Sequence, residues 1–208
     1  MRVQTCFIFF LLLSGCSSEP IMDEQNAEQS ETTVNKLMIE QTKCDNEIRL
    51  DDLTFNSQDW DQMDQSEVFD EIVERIFTEW EKTDLVCMDS YLANLVYACN
   101  MNVQVDNGGV ISFVDNGSGE YFHETLNALK ELKMDKFLLI LDEFKTLFPD
   151  EIVPKDIEKR RNAIDLILDK TGDSEEPFES WDDIFYSNRE YFENKIIEYV
   201  KNNTHNIN

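Results

Sequence analysis

Glycine, proline and basic side chains are scarce in this chain of 208 residues. Six glycines and four prolines are too few for a collagen-like or low-complexity protein, and five cysteines are too few for a disulfide-dense scaffold. Only 18 lysine and arginine residues stand against 44 acidic residues, which gives a formal net charge of −26. Because nucleic acid phosphates would be repelled, we expect no direct binding of nucleic acid. A partner bound by charge should be a basic protein or a cation.

Motifs that support catalysis are also missing. The two histidines are His123 and His205, and no second histidine follows His123 at zinc-protease spacing. The chain has no G-x-S-x-G elbow, no Walker loop and no C-x-x-C pair. The loop from Asp115 resembles a calcium loop, but glycines occupy its third and fifth ligand positions and Leu126 its twelfth. We therefore predict no catalytic residue, no metal site, no cofactor and no small-molecule substrate. The alternative from another class is a metal-dependent enzyme that uses Asp106 and His123.

The first sixteen residues have the pattern of a bacterial lipoprotein signal. Arg2 precedes an unbroken apolar run, CFIFFLLL, that ends at Leu13 and is well short of the ~20 residues that a membrane-spanning helix needs. The sequence LSGC that ends at Cys16 resembles a lipobox, in which small residues precede a cysteine that receives acyl chains. We predict a signal peptide over 1–15 and lipid attachment at Cys16, which would anchor the protein stably to a lipid membrane. An uncleaved anchor and a secretory signal with ordinary cleavage are the alternatives.

The residues after Cys16 predict a location and a tether. Ser17 and Ser18 directly follow Cys16, so no acidic residue comes next to the lipidation site. By the usual sorting pattern, this favours the outer membrane if the cell has one. The predicted location is the bacterial cell envelope. Residues 17–43 contain no aromatic residue and no sustained apolar period, as is typical of a flexible tether. We assign 16–45 to the lipidated cysteine and a disordered acidic tether, and 46–202 to a folded domain.

After the tether, the chain has the apolar spacing of helices. Apolar residues recur at intervals of three and four from Val68 to Trp80, and Asp64 with Glu67 resembles an N-cap with a reaching carboxylate. Residues 110–114 favour a strand by propensity alone. Hydrophobic residues make up 41% of the chain, which is enough for a core, so we predict one compact all-α domain. Its further helices are predicted over 84–103, 120–133, 135–148 and 156–168, with one long or two short helices over 178–199.

Three cysteines lie beyond the lipidation site: Cys44, Cys87 and Cys99. Cys87 and Cys99 are predicted to share one helix, which would separate them by roughly 18 Å, too far for a disulfide. Disulfides are allowed in an exported chain, and Cys44 could reach either of the other two. We favour the simpler interpretation that Cys87 and Cys99 are small buried apolar residues.

Four of the six glycines lie in one segment, NGGVISFVDNGSG, from Asn107 to Gly119. Glycine permits positive φ or close backbone approach, and asparagine also tolerates the left-handed region. We predict that Asn107 to Gly109 end one helix in a sharp turn. The second turn, from Asn116, would end a short helix and begin the next. The apolar residues between the turns should pack inward: Val110, Phe113 and Val114.

This segment resembles the hallmark of the all-α DNA-mimic protein domain family, catalogued largely as a domain of unknown function. The matching positions are Asn107, Gly108, Gly109, Phe113, Asn116 and Gly119. Downstream, Ala128-Leu129 stands at the expected place, residues 181–186 (WDDIFY) resemble the family's late L-D-x-x-Y segment, and residues 190–199 its closing helix. Val110, Ser112 and Val114 depart from the family's aromatic–glutamine–aromatic pattern. The resemblance covers about 91–200 and implies an all-α fold.

The resemblance also implies an activity, in which surface carboxylates imitate duplex phosphates and occupy the DNA site of a basic regulator. Residues 45–90 carry 15 acidic and three basic residues, residues 173–198 carry nine and two, and residues 150–172 are nearly neutral with six and five. Because export would remove the protein from the cytoplasm, we expect instead a non-enzymatic, membrane-anchored interaction protein that binds a basic protein. The alternatives are an immunity-type inhibitor of a toxin and a DNA mimic.

Overall fold

The computed structural model of the protein describes Cys44 and residues 47–55, 60–171 and 176–204. The predicted signal peptide, the lipidation site Cys16 and tether residues 17–43 lie outside the described residues, as does His205. The all-α prediction is confirmed: the described segments contain helices and, apart from one isolated bridge between Ile48 and Met88, no β-structure. Within these segments, no helix combines the length and the apolar composition that crossing a bilayer requires.

The α-helices are α1 (Gln65–Trp80), α2 (Ser90–Asp115), α3 (Phe122–Glu131), α4 (Asp135–Lys145), α5 (Ile157–Thr171), α6 (Glu176–Ser187) and α7 (Arg189–Asn203). Short 3-10 helices lie at Leu50–Asp52, Leu85–Cys87, Gly117–Tyr121 and Pro149–Glu151. The region predicted as one long or two short helices contains two, α6 and α7, which Asn188 separates. Residues 110–114 are helical, so burial among helices overrides their strand propensity.

α1 begins at the predicted N-cap. The Asp64 carboxylate accepts a hydrogen bond from the Glu67 backbone N–H at 3.0 Å, and the Glu67 carboxylate accepts one from the Asp64 N–H at 3.1 Å. The two bonds satisfy amide groups that the first helical turn leaves unpaired. One face of α1 is buried and packs on α7, with Phe69 edge-on to Phe192 at a centroid distance of 6.1 Å.

α2 is the central helix and contacts α1, α3, α5 and α6. Leu92, Leu95 and Val96 are fully buried along it. A cluster of aromatic rings from α4, α6 and α7 completes the core. The centroid of the Phe137 ring lies 4.9 Å from that of Phe185 and 5.3 Å from that of Phe192. The central position of α2 means that the glycine-containing turns near its end are held from several sides.

The cysteines differ from the prediction. Cys44 and Cys87 form a disulfide with a Cα–Cα distance of 5.5 Å, so the interpretation of Cys87 as a simple buried apolar residue is wrong. Cys99 is a buried free thiol, as expected, and burial raises its pKa. Cys87 and Cys99 do not share a helix, because the Asp89 carboxylate caps a new helix by accepting from the Leu92 N–H at 2.8 Å. The predicted helix over 84–103 is therefore a 3-10 turn followed by α2.

Candidate functional site

The first glycine turn breaks α2 at Gly108 and Gly109, directly after the exposed Asn107. Gly109 has φ of +77°, in the left-handed region that favours glycine. Gly108 has φ of 175°, an extended value that any residue adopts. The helix resumes at Val110, which is buried, as are Phe113 and Val114 in the next turn.

Two side chains of α6 hold this turn. The Asp182 carboxylate accepts a hydrogen bond from the Val110 N–H at 2.7 Å. A Cβ atom on Gly109 would lie 2.2 Å from the same carboxylate, so the glycine makes room for it. The Tyr186 hydroxyl donates to the Val105 carbonyl at 2.8 Å, on the other side of the break. The late segment WDDIFY thus contacts the glycine turn that lies about 70 residues earlier in the chain.

The second turn follows α2 and is built around Asn116 and Gly119. The Asn116 side-chain oxygen accepts from the Ser118 N–H at 2.9 Å, and its amide donates to the Gln104 side chain. A Cβ atom on Gly119 would lie 2.2 Å from the Val114 carbonyl oxygen, so a side chain cannot fit there. The Phe113 ring stacks on the Phe122 ring at the start of α3, with the centroids 6.2 Å apart.

Arg160 is the structural partner that sequence reasoning missed. It is fully buried, and its guanidinium donates to the carbonyls of Val114, Asn116, Pro154 and Lys155. Burial lowers the pKa of Arg160, but an arginine remains charged, and the four carbonyls accept hydrogen bonds from its guanidinium. Arg160 lies four residues before Ile164 and seven before Ile167, so it shares the buried face of α5 with them. This spacing is the feature of the sequence that could have indicated its burial.

Beside the first turn, six acidic residues from four helices are linked by electrostatic interactions and by Arg189, and we call this group the acidic face: Asp70, Asp106, Asp182, Asp183, Glu190 and Glu193. Asp70 and Glu190 act electrostatically on Glu193, and Asp106 and Asp182 both act on Tyr186. Arg189 lies among them and pairs with Asp106 and, at 3.9 Å, with Glu193. Among the described ion pairs, Asp106 and Glu193 are the members of this group that pair with a cation, so the group keeps a net negative charge.

Two carboxyls of the acidic face are partly buried. Burial raises the pKa of Asp182, although the Val110 N–H opposes the shift, and the neighbouring Asp183 adds to it. Burial also raises the pKa of Glu193, against the opposing effect of Arg189. Burial is the main cause of both raised pKa values, and the neighbouring carboxylates add a smaller contribution.

The residues of the metal-enzyme alternative do not form a site. His123 lies with its Nε2 atom 3.3 Å from the Val153 carbonyl oxygen and its ring edge-on to Phe122. Asp106 contacts Arg189 and Asn102. No group of three or more histidine, cysteine or acidic side chains in the described segments is placed to hold a metal ion.

The acidic face borders the glycine turn, since Asp182 belongs to both. The comparisons with known proteins bear on this turn and its surroundings. No curated protein and no solved structure matches the chain. A family model does match, from Met88 to Asn203, the last residue of α7. The matched region includes both glycine turns and the α6 residues Asp182 and Tyr186, which contact the first turn. Because residues 88–203 match the model of the DMP19-like proteins and make up more than half of the chain, the protein belongs to the DMP19-like family.

Proposed function

We propose that this protein is a membrane-anchored interaction module without catalytic activity, whose acidic face binds a basic partner protein. The observation that carries the proposal is the grouping of six carboxylates from α1, α2, α6 and α7, two of which, Asp106 and Glu193, pair with Arg189. Such a surface attracts positive charge and rejects negatively charged partners. Membership of the DMP19-like family supports an interaction role, because the family resemblance implies binding through surface carboxylates.

The disulfide between Cys44 and Cys87 supports a location outside the cytoplasm. Disulfides form and persist in oxidising compartments and are rare where thiols are kept reduced. Together with the lipobox pattern at Cys16, this favours a lipid-anchored protein of the cell envelope, in the outer membrane if the cell has one. Residues 16–45 would then connect the lipid to the helical domain.

Mimicry of DNA is the second candidate, and the family membership favours it. The acidic face supplies the carboxylates that such a role requires, but an exported protein does not meet cytoplasmic DNA-binding regulators. An immunity-type inhibitor fits the same surface, since a basic toxin active site is a basic partner. These alternatives differ in where the partner is found.

Site-specific photo-cross-linking in cells tests the binding role. A cross-linking residue at Asp183, on the exposed rim of the acidic face, should capture a basic protein, and capture should fall steeply at about 0.5 M salt because the attraction is screened. The same residue at Glu158, exposed on α5, is the matched control. The variant Glu190→Lys should reduce capture from position 183. Equal capture from both positions, or capture that salt and Glu190→Lys leave unchanged, would contradict the proposal.

Protease shaving of intact and permeabilised cells tests the anchoring, with Cys16→Ala as the comparison. We expect the domain in the membrane fraction and outside the cytoplasm, and its release from membranes by Cys16→Ala. A soluble domain that stays protected in the cytoplasm would contradict the anchoring and make a DNA-binding regulator the leading partner.

A further inference from the structure

A pocket of about 290 Å³ lies away from the acidic face, between the ends of α3 and α7 and the start of α2. Its walls include Tyr91, Glu131, Lys195, Glu198 and Tyr199. The volume is at the lower end of the ~300–1,000 Å³ that small-molecule sites span. A pocket of this size suits one long side chain better than a large ligand.

Two tyrosine rings form one side of the pocket. The centroids of Tyr91 and Tyr199 are 6.2 Å apart, with their planes tilted by 50°. Tyr199 is held in place, because its hydroxyl accepts from the Asn94 amide at 3.2 Å and its backbone carbonyl accepts from Asn203 at 2.8 Å. Tyr91 is 47% exposed, so its ring is available to a ligand. Faces of tyrosine rings attract cations.

The pocket also has negative groups. Glu131 and Glu198 line it, and the helices α3 and α7 end beside it at Glu131 and Asn203. Helix C-termini carry unpaired carbonyls and a partial negative charge. Burial raises the pKa of Tyr199, the Asn94 hydrogen bond opposes this, and Tyr91, Glu131 and Asp89 add to it.

Two lysines, Lys133 and Lys195, also line the pocket and offset the charge of its two glutamates. Lys195 donates to Glu198 at 2.8 Å and lies 5.9 Å from the centroid of the Tyr191 ring. Lys136 lies 5.0 Å from the same centroid. Lys133 is exposed at the α3–α4 turn. Among the described ion pairs none includes Glu131, so its carboxylate is available to an incoming cation.

We propose that this pocket binds a cationic side chain of the basic partner, with the guanidinium or ammonium group against the rings of Tyr91 and Tyr199 and Glu131 as its counter-ion. This rests on the proposed function and adds a second contact to it. Glu190 and Tyr199 are nine residues apart on α7, or about 14 Å along the helix axis. At about 3.6 residues per turn these nine residues make about two and a half turns, so Glu190 and Tyr199 lie on opposite sides of α7 and a separate part of the partner would enter the pocket.

A titration with n-butylguanidinium, followed by the NMR signals of the tyrosine rings, tests the pocket without the partner. We expect saturable shifts at Tyr91 and Tyr199, and no saturable shift with the neutral amide pentanamide. Tyr91→Ala and Glu131→Gln should weaken binding by roughly threefold or more, whereas Tyr91→Phe, which keeps the ring, should bind as well as the original protein. The matched control is Glu158→Gln, which removes the same charge on α5.

The titration tests the pocket independently of the cross-linking experiment that tests the acidic face. Shifts that do not saturate, or that weaken equally in Glu131→Gln and Glu158→Gln, would overturn the pocket even if cross-linking at position 183 succeeds. Saturable binding that depends on Glu131 would support the pocket even if that cross-linking fails. Because Glu131 is exposed, its variant also provides a result if Tyr91→Ala does not fold.

Discussion

Gly109 and Gly117 lie in neighbouring turns, but only Gly109 needs to be glycine. Its φ is +77°, and a Cβ atom would lie 2.2 Å from Asp182, whereas a Cβ atom on Gly117 would meet nothing within 4 Å. Positive φ costs other residues about 1–3 kcal/mol, and the clash adds to that. We expect Gly109→Ala to lower the free energy of unfolding by at least about 2 kcal/mol in urea denaturation. Gly117→Ala should cost much less, and equal losses would contradict the assignment.

The backbone conformation of Gly108 and the contacts of Arg160 do not follow from the sequence alone. The glycine pair at 108 and 109 predicts positive φ at either position, and the structure places it only at Gly109. At Gly108 a Cβ atom would lie 3.1 Å from the Ser112 Cβ atom, a tight contact without backbone strain. The sequence places Arg160 on the apolar stripe of α5 but does not show what would satisfy its guanidinium there. Two of its acceptor carbonyls come from the distant turn at Val114 and Asn116, and two from Pro154 and Lys155 just before α5.

The helices could be predicted from spacing and capping, with errors at the ends. The start of α1 at Asp64 follows from a local pair of carboxylates, and the break in α2 follows from adjacent glycines. The boundary between the 3-10 helix at Leu85–Cys87 and α2 was missed, because Asp89 caps α2 inside a run whose apolar spacing continues on both sides. Helix spacing alone does not show where one helix ends and the next begins.

The Cys44–Cys87 pairing depends on tertiary structure, so the sequence left it open. The Ile48 N–H donates to the Cys87 carbonyl and the Asp89 N–H to the Ile48 carbonyl, each at 2.8 Å, which brings the N-terminal segment to the start of α2. The family match begins at Met88. The disulfide therefore closes a loop that contains α1 and ends one residue before the family-matched region.

Removal of this disulfide should destabilise the domain. It spans a sequence separation of 43 residues, and the chain-entropy model gives about 4 kcal/mol for a loop of that length. We expect the double variant Cys44→Ser/Cys87→Ser to lose about 2–4 kcal/mol in urea denaturation. A thiol reductant should produce the same loss in the original protein and no further loss in the double variant. A reductant effect that persists in the double variant would point to a different cysteine pairing.

The acidic face belongs to the molecule as a whole, and the sequence indicates only its ingredients. Counts of acidic residues predict that 45–90 and 173–198 are negative. They do not show that Asp70 acts electrostatically on Glu193, or that Asp106 and Asp182 both act on Tyr186. These neighbours come from four helices, so their arrangement requires the packing of α1 on α7 and of α6 on α2.

The partial burial of two carboxyls in the acidic face predicts an unusual pH dependence of stability. Burial raises the pKa of Asp182 and of Glu193 above their ordinary values of 3.8 and 4.5. A carboxyl with a raised folded pKa stabilises the fold fully below its unfolded pKa, and this contribution is lost as the pH rises through the folded pKa. Acidification from neutral pH towards these ordinary pKa values should therefore raise the melting temperature.

Two other carboxyls determine the pH below which acidification no longer raises the melting temperature. The Glu67 N–H lowers the pKa of Asp64, and Lys195 lowers that of Glu198. Their contributions are present above the unfolded pKa and are lost as the pH falls through the folded value, so stability should decline again below about pH 4.

Melting curves at constant ionic strength, with Glu193→Gln beside the original protein, test this balance. Glu193→Gln should melt higher at about pH 7 and gain less on acidification, because it removes one of the two carboxyls whose protonation the fold favours. Glu158→Gln removes the same formal charge from α5, outside the acidic face, and should retain the full gain. If all three proteins gain equally, net charge governs the pH dependence and the partial burial of carboxyls in the acidic face does not.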